Sequence, residues 1–141
     1  SSLNTPDDEA FEGQMIPGAP LADAPIEAAG QPGWLLHQLG NRFQLLHYVD
    51  DASTLDEKTA LALAQLAQAA IAIEAIIVAP RGQAPAGLKT LIDTDGCIAH
   101  RYDLRPGTTY LVRPDQHVAA RWRALDASKI KAALARATCN A

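Results

Sequence analysis

The sequence predicts an α/β fold in which a mixed four-stranded sheet is covered by helices on both faces. Three observations indicate this fold: the nearly unbroken apolar run Ile73–Ala79, the amphipathic helical pattern before it, and the hairpin pattern Thr109–Trp122. With 141 residues, 48% of them hydrophobic, the chain is long enough for one domain with a substantial core. An extended N-terminal arm is expected to precede this domain.

Residues 1–33 are predicted to form the arm or a linker, because their density of proline and glycine disfavours both a helix and a central strand. The residues concerned are Pro6, Pro17, Pro20, Pro25, Pro32, Gly13, Gly18, Gly30 and Gly33. The arm also contains apolar residues, which indicates that it lies against a surface of the protein. They are Leu3, Phe11, Met15, Ile16, Leu21 and Ile26. A short helical turn over Trp34–Leu39 follows and ends at Gly40.

A strand–helix–strand unit is predicted next. Phe43–Val49 is an apolar run with β character and predicts the first strand. Thr54 and Glu57 have the spacing of a capping box, so a helix is expected over Leu55 to about Ile71, where apolar residues recur with the 3.6-residue period. Ile73–Ala79 is typical of a strand buried on both faces, which predicts that it lies at the centre of the sheet. The two strands should be parallel, with a right-handed crossover.

A short helix and a hairpin are predicted next, from the turn signals of the sequence. After a loop over residues 80–90, the turn Asp93–Gly96 caps a short helix from about Gly96 to Tyr102. In the hairpin, Tyr110–Val112 forms the first strand, and Pro114 supplies the fixed φ of the turn. Val118–Trp122 alternates between apolar and polar or small residues, as a half-buried return strand does.

A last helix is predicted over Ala127 to about Ala137, with Asp126 as its N-cap. The resulting order β-α-β-α-β-β-α is that of thioredoxin, so residues 34–141 are predicted to form a thioredoxin-like domain. Helices distributed around parallel strands and a terminal hairpin favour a sheet that is covered on both faces.

Composition excludes several classes of function. The formal net charge is −4 and the Lys and Arg residues are scattered, which argues against nucleic-acid binding. The longest apolar stretch, Ala69–Pro80, is interrupted by Glu74 and is shorter than the roughly 20 residues of a membrane span. No secretory signal pattern is present at the start of the sequence, so a cytoplasmic location is expected.

The sequence lacks the motifs of redox, nucleotide and metal sites. A thioredoxin-type oxidoreductase needs Cys-x-x-Cys where the chain reads Val49–Thr54, and no cysteine lies there. Cys97 and Cys139 lie far apart and are expected to be reduced thiols. No Gly-x-Gly-x-x-Gly or Walker motif occurs, and the histidines fall in four different elements: His37, His47, His100 and His117. We therefore predict no catalytic, cofactor-binding or metal-ligating residue in this chain.

Arginines cluster around the hairpin, at Arg113, Arg121 and Arg123. Two interpretations stay open. The arginines keep an edge strand soluble, or they form a docking patch for an acidic surface of a partner.

The hairpin sequence Leu-Val-Arg-Pro-Asp-x-x-Val-Ala-x-Arg resembles the C-terminal domain of FAD-dependent aromatic-ring hydroxylases of the phenol hydroxylase type. Further segments carry the same resemblance, which covers most of the chain: Ser1–Asp7, Pro17–Pro20, Gly33–Leu36, Leu39–Gly40, Phe43–Leu46 and Arg101–Tyr102. One departure is Gln116, where the family usually has Gly after Pro-Asp. If this position needs a positive φ, glutamine costs about 1 kcal/mol relative to glycine.

The resemblance implies a non-catalytic accessory domain of a flavoprotein monooxygenase that works in packing and assembly. The parent protein would hydroxylate an aromatic ring with FAD, NAD(P)H and oxygen, and the residues that bind these molecules would lie upstream. The domain would pack against the FAD and substrate domains of the same polypeptide or against a neighbouring subunit of a homo-oligomer.

Two alternatives remain. The segments Asp93–Tyr102 and Thr109–Asp115 also look like the later half of peroxiredoxins, so the chain could be a free-standing redox protein that uses Cys97 as a lone thiol. It could also be a binding adaptor that uses the sheet edge at Val118–Trp122.

Overall fold

The computed structural model describes residues 2–140; Ser1, at the start of the predicted arm, and Ala141, at the end of the predicted domain, lie outside the described residues. The strands are β1 Pro25–Ala28, β2 Gln31–Trp34, β3 Phe43–Tyr48, β4 Ile73–Ala79, β5 Lys89–Ile92, β6 Thr109–Val112 and β7 Val118–Trp122. The helices are α1 Glu57–Gln65, α2 Cys97–Arg101 and α3 Ala127–Ala137, with 3₁₀ turns at Leu35–Gln38, Ala52–Thr54 and Leu66–Gln68. None of the described helices combines the length and the apolarity that crossing a bilayer requires.

The sheet has seven strands in the order β2-β1-β5-β4-β3-β6-β7, so the predicted four-stranded sheet is wrong. The central part is as predicted: β4 is the middle strand and pairs in parallel with β3 and with β5. The three additional strands are the hairpin β1–β2, which pairs antiparallel with β5, and β5 itself.

The positions of the prolines in the hairpin β1–β2 explain why they do not prevent strand formation. Pro25 is the first residue of β1 and Pro32 lies in the edge strand β2, the two kinds of position in which a strand tolerates a missing N–H. Ala29 and Gly30 form the turn, both with positive φ, as a tight two-residue hairpin turn requires. The last part of the predicted arm is therefore a strand pair, and β2 continues across residue 33. The division of the chain at that residue stays a prediction.

Helix α1 begins later than predicted and ends earlier. Its N-cap is Asp56, whose Oδ1 accepts a hydrogen bond from the Thr59 N–H at 2.7 Å, so the capping box at Thr54 is wrong. Thr54 ends the preceding 3₁₀ turn, and its hydroxyl donates to the carbonyl of Asp51. That hydroxyl is therefore not the acceptor that the helix start needs.

The other predicted helices are found. Asp126 caps α3 by accepting hydrogen bonds from the N–H groups of Ser128 and Lys129. The short helix α2 begins after Gly96, and the Asp93 carboxylate accepts from the N–H groups at its start.

Apolar clusters lie on the two faces of the sheet. The first contains residues of the N-terminal region as well as of α2 and the strands, including Met15, Leu21, Ile76, Ile98 and Tyr110. The second lies under α1 and α3 and includes Leu45, Leu63, Ile77, Trp122 and Ile130. Because β4 sends Ile76 to one cluster and Ile77 to the other, it is buried on both faces, which is what its continuous apolar run indicated.

Strand β7 is buried at all five positions and not half-buried as predicted. The N-terminal residues cover its outer edge: Thr5 N–H donates to the carbonyl of Ala119, and Val118 exchanges backbone hydrogen bonds with Gly18 and Ala19. The arm thus lies along the edge of its own sheet before it crosses to β1.

Candidate functional site

The segment after β3 occupies the place where a thioredoxin-type enzyme has its cysteines, and here it is a closed turn. The Asp51 side chain caps this turn: its Oδ1 accepts from the N–H of Ser53 at 2.9 Å and from the hydroxyl at 2.6 Å. The hydrogen bonds from Ser53 hold the pKa of Asp51 below its usual range. The carboxylate is therefore engaged in building the turn.

The turn packs against the loop after β4. The Ala52 side chain is fully buried, and its N–H donates to the carbonyl of Arg81. Gly82 approaches so closely that a Cβ there would lie 2.2 Å from Asp51 Oδ1 and 2.8 Å from the Ser53 nitrogen. This close packing leaves no room for a side chain at position 82.

The cysteines and histidines are distributed over several elements of the described chain. Cys97 is the half-buried first residue of α2, Cys139 is exposed after α3, and both are free thiols. Histidines occupy the places that the sequence indicated, in the first 3₁₀ turn, β3, α2 and the β6–β7 turn. Within residues 2–140 no three His, Cys, Asp or Glu side chains come together in a way that could hold a metal ion.

His47 is a buried residue of β3 with one polar contact. Its Nδ1 lies 2.9 Å from Thr109 Oγ1, and the Thr109 hydroxyl donates to the carbonyl of Gly107. The ring Nδ1 then donates to Thr109, and in the neutral ring this is the Nδ1–H tautomer. Burial lowers the pKa of His47, while the more distant Asp56 acts in the opposite direction.

The densest polar constellation is the arginine cluster formed by Arg113, Arg121 and Arg123. Arg121 is the most buried of these, with a side chain only 2% exposed. Its guanidinium makes a bidentate contact with Asp7, with Nε 3.0 Å from Oδ1 and Nη2 2.7 Å from Oδ2. Nη1 donates to the Tyr110 hydroxyl at 3.4 Å. Bidentate pairs of this kind combine charge with a fixed geometry.

Phe11 contacts two of these arginines. The guanidinium carbon of Arg121 is 4.3 Å from the ring centroid and that of Arg123 is 3.8 Å from it. The Phe11 and Tyr110 rings form an edge-to-face contact, with ring centroids 6.1 Å apart and an interplanar angle of 77°. Cation–π contacts at such distances stabilise a partly desolvated guanidinium.

Arg123 also joins the N-terminal residues to the loop after α2. It donates to the carbonyls of Ala10 and Asp103 and to the carboxylate of Asp103. The backbone N–H of Glu12 and the Arg123 guanidinium hold the pKa of Asp103 below its usual range.

Further contacts complete the attachment. Arg113 donates to Asn4 Oδ1 at 3.2 Å, and Lys129 Nζ lies 2.9 Å from Asp8 Oδ2. Of the two interpretations of the arginines, the described contacts favour an acidic partner, and that partner is the N-terminal part of the same chain. No cysteine, histidine or metal pattern in the sequence pointed to this site; the signal was the acidic run Asp7–Glu9 in the arm together with the basic hairpin.

An open groove on the opposite face of the sheet is mainly apolar. It has a volume of about 540 Å³ and lies between the 3₁₀ turn Leu66–Gln68, which follows α1, and α3. Its lining includes Leu66, Ile71, Ile130, Lys131 and Leu134. Lys131, Thr138 and Asn140 contribute its polar side chains.

Comparison with known proteins identifies relatives of the whole chain. The model of the family described as HcaD C-terminal domain matches residues 26–137. A search of curated proteins finds no match.

Two solved flavoenzymes resemble this chain. The flavin-dependent monooxygenase PieE, solved with FAD and substrate, is 22% identical over 100% of this chain and 25% of its own, with a TM-score of 0.73. Aklavinone-11 hydroxylase, solved with FAD and aklavinone, is 22% identical over 97% of this chain and 25% of its own, with a TM-score of 0.68. This chain therefore spans about a quarter of the length of these two proteins.

A thiol peroxidase from Chromobacterium violaceum is 13% identical over 93% of this chain and 94% of its own, with a TM-score of 0.66. At these identities the likeness shows the fold alone. It confirms an α/β fold with thioredoxin-like relatives.

Proposed function

The chain belongs to the family of HcaD C-terminal domains, and from this membership we propose that it is the C-terminal accessory domain of a FAD- and NAD(P)H-dependent aromatic-ring hydroxylase. Its work is packing and assembly and not catalysis. The parent protein would insert an oxygen atom into an aromatic ring, with the flavin and nicotinamide bound by upstream domains.

One observation carries the proposal. Nearly the whole chain superimposes on only a quarter of each of two FAD-dependent enzymes, and the matched family is itself defined as a C-terminal domain. A domain that occurs as one part of a larger flavoenzyme is expected to have its partner surfaces in the rest of the polypeptide.

The connection between β3 and α1 does not fit the pyrophosphate of FAD. A dinucleotide needs a glycine-rich strand-to-helix turn whose free N–H groups and positive dipole face the pyrophosphate. Here the β3-to-α1 connection carries Asp50, Asp51 and Asp56, and the Asp56 carboxylate already occupies the N–H at the start of α1. A pyrophosphate would meet negative charge at this place, which supports an accessory role.

The exposed apolar residues suggest where such a domain meets its partners. Trp34 at the end of β2 is 49% exposed and Ile16 is 54% exposed. We assign these partners to the FAD and substrate domains of the same polypeptide or to a neighbouring subunit, in a cytoplasmic protein.

The proposal is tested by comparing this chain with its parent polypeptide. We expect the parent to purify with a flavin absorption spectrum and to oxidise NAD(P)H in the presence of a phenol, and residues 1–141 to quench no FAD fluorescence at micromolar concentrations. Saturable flavin binding to residues 1–141, or an upstream sequence without a Gly-x-Gly-x-x-Gly motif, would refute it.

The redox alternative is tested separately. A free-standing peroxidase would use the thiol of Cys97, because Cys139 lies beyond α3. Under the accessory-domain proposal, the chain and its Cys97→Ala variant reduce hydrogen peroxide at the same background rate. A rate that falls on substitution of Cys97 would favour the alternative.

A further inference from the structure

The N-terminal segment, residues 2–12, is held mainly by basic side chains. Five of the twelve Lys and Arg residues contact it or its neighbours directly: Arg113, Arg121, Arg123, Lys129 and Arg136. Arg136 contributes by donating to the carbonyl of Ser2. The acidic residues that lie near these basic side chains are consecutive, from Asp7 to Glu9. Charge complementarity along an extended segment is the mark of a peptide-recognition surface.

The attachment of this segment uses little apolar burial. Residues 6–10 are all exposed, whereas Asn4 is buried and Phe11 is partly buried, in contact with its two arginines and with the first apolar cluster. The segment also shares few backbone hydrogen bonds with β7, such as that of Thr5 to Ala119. Exposed ion pairs such as Lys129–Asp8 are weakened by salt, and a segment with few apolar contacts opens more readily than a packed core.

We expect the backbone to rotate at Gly13, which follows the segment directly. Gly13 has a φ of +81°, a conformation that side chains rarely adopt, and the next buried residue is Met15. Residues 2–12 can therefore leave the surface by rotation at Gly13 while Met15 and Leu21 keep their places in the first apolar cluster.

We propose that the edge of β7 with the arginine cluster is a recognition site for an extended acidic segment in which Asp is followed four residues later by Phe. In the structure the chain's own Asp7 and Phe11 fill it. When this segment is released, the same segment of a second copy of the chain takes its place, because Arg121 lies in β7, Arg113 and Arg123 directly follow β6 and β7, and the ligand sequence is identical. The inference rests on contacts within this chain and does not depend on the flavoprotein assignment.

The intramolecular segment competes with any external one. A tethered ligand acts at an effective concentration of about millimolar, so an external peptide should bind weakly until the tethered segment is disabled. Asp7→Lys disables it, because the lysine then faces Arg121 in the cluster that Asp7 occupied. The variant changes an arm residue and leaves the receptor intact.

The test titrates a synthetic peptide of residues 2–14 into the ¹⁵N-labelled chain and follows backbone amides by NMR. We expect saturable shifts at Val118–Arg123, with affinity at least tenfold higher for Asp7→Lys than for the unmodified chain. Asp50→Lys makes the same charge change at an exposed site far along the sequence and should bind as the unmodified chain does. A peptide carrying Asp7→Lys and Phe11→Ala should not bind. Asp7→Asn serves as a milder second variant if Asp7→Lys fails to fold.

Three results would overturn the proposal. The first is no saturable binding to either Asp7 variant. The second is equal binding to the Asp7→Lys and Asp50→Lys chains, and the third is a set of shifted amides that excludes β7.

Exchange between full chains is measured by cross-linking. A carbodiimide joins the Asp8 carboxylate to Lys129 Nζ, 2.9 Å away, as an amide, and takes up the released water as a urea. In an equimolar mixture of labelled and unlabelled chains, exchange yields cross-linked peptides with one labelled and one unlabelled half, in a fraction that rises with protein concentration. Cross-links that are uniformly labelled or uniformly unlabelled up to about millimolar chain would show that a second copy is not an occupant.

Discussion

Gln116 is held at a φ of +61°, in the left-handed region that favours glycine, and its side chain explains why glutamine is tolerated there. The side-chain amide donates to the carbonyls of Leu36 and Leu39, at 2.8 and 3.0 Å. These two carbonyls belong to the first 3₁₀ turn and its end, so one residue of the β6–β7 turn ties two distant parts of the chain together. The expected cost of a positive φ is real, but the sequence could not show what offsets it.

This balance gives a prediction for Gln116→Gly. Relief of the backbone conformation is worth about 1 kcal/mol, whereas the two lost hydrogen bonds are worth about 1 kcal/mol each. We expect the free energy of unfolding to fall by about 1 kcal/mol, measured by urea denaturation.

Ala29→Gly is the matched control for this substitution. Ala29 also has a positive φ, of 50°, but an exposed side chain without a hydrogen bond to lose. We expect it to stabilise the protein by about 0.5 kcal/mol. If both glycine variants were stabilised alike, the Gln116 side chain would not be holding the turn.

His47 should make stability depend on pH. Its pKa is lowered in the folded protein by burial, so between that value and the ordinary 6.5 the unfolded chain binds more protons than the folded one. Stability should therefore be full above about pH 6.5 and fall as the pH decreases, by at most about 1.4 kcal/mol per pH unit for this proton. Urea midpoints of the protein and of His47→Gln at pH 7.5 and 5.5 test this, and equal losses in both proteins would contradict it.

At the scale of elements, the connection between β3 and α1 shows how a redox site can be replaced by packing. The turn Ala52–Thr54 is closed on itself by Asp51 and pressed against Gly82. The sequence shows that no cysteine lies in this turn. It does not show that Gly82, far along the chain, packs against the turn. That contact depends on β3 and β4 being neighbours in the sheet.

Gly82→Ala tests this contact. Gly82 has a φ of +90° and a new Cβ would overlap Asp51 and the backbone of the turn, so we expect a loss of about 3 kcal/mol from backbone strain and overpacking together. Gly87 has a φ of +94° with nothing near a new Cβ, and Gly87→Ala should cost only about 1 kcal/mol. Thermal unfolding of the two variants separates these contributions. Equal losses of stability in the two variants would mean that the turn accommodates the new Cβ at position 82 without a cost in free energy.

The elements that the sequence predicted well are those whose burial is uniform or whose cap is local. Ile73–Ala79 reads as a central strand because both of its faces are covered, and Asp126 caps α3 through bonds to its own neighbours. The strands β1, β2 and β5 have only four residues each; β1 pairs with β2 and β5, and β5 also pairs with β4. Such short strands carry too little periodicity to be distinguished from loops.

At the scale of the whole molecule, the N-terminal region is both a surface attachment and a part of the core. Residues 2–12 are held by ion pairs along β7, but Met15, Leu21 and Ala24 lie in the first apolar cluster beside Ile76 of the central strand. The arginine cluster could have been suspected from charge alone. Its arrangement could not, because it requires the arm, the hairpin and α3 to meet, and only the folded chain brings them together.

Whether residues 1–33 unfold separately from the rest can be decided by one pair of substitutions. Leu21 is 7% exposed within the first apolar cluster, and Leu21→Ala should lower the free energy of global unfolding by about 2–3 kcal/mol if the arm and the sheet form one cooperative unit. Ile16 is 54% exposed, and Ile16→Ala should change it by less than about 0.5 kcal/mol. Urea unfolding followed by the fluorescence of Trp122, which lies in the opposite cluster, reports the global transition when Trp34→Phe is introduced into every variant, because Trp34 is the other tryptophan of the chain. If Leu21→Ala left the Trp122 transition unmoved and only exposed the arm to proteolysis, the arm would be a separate unit that folds onto a finished domain.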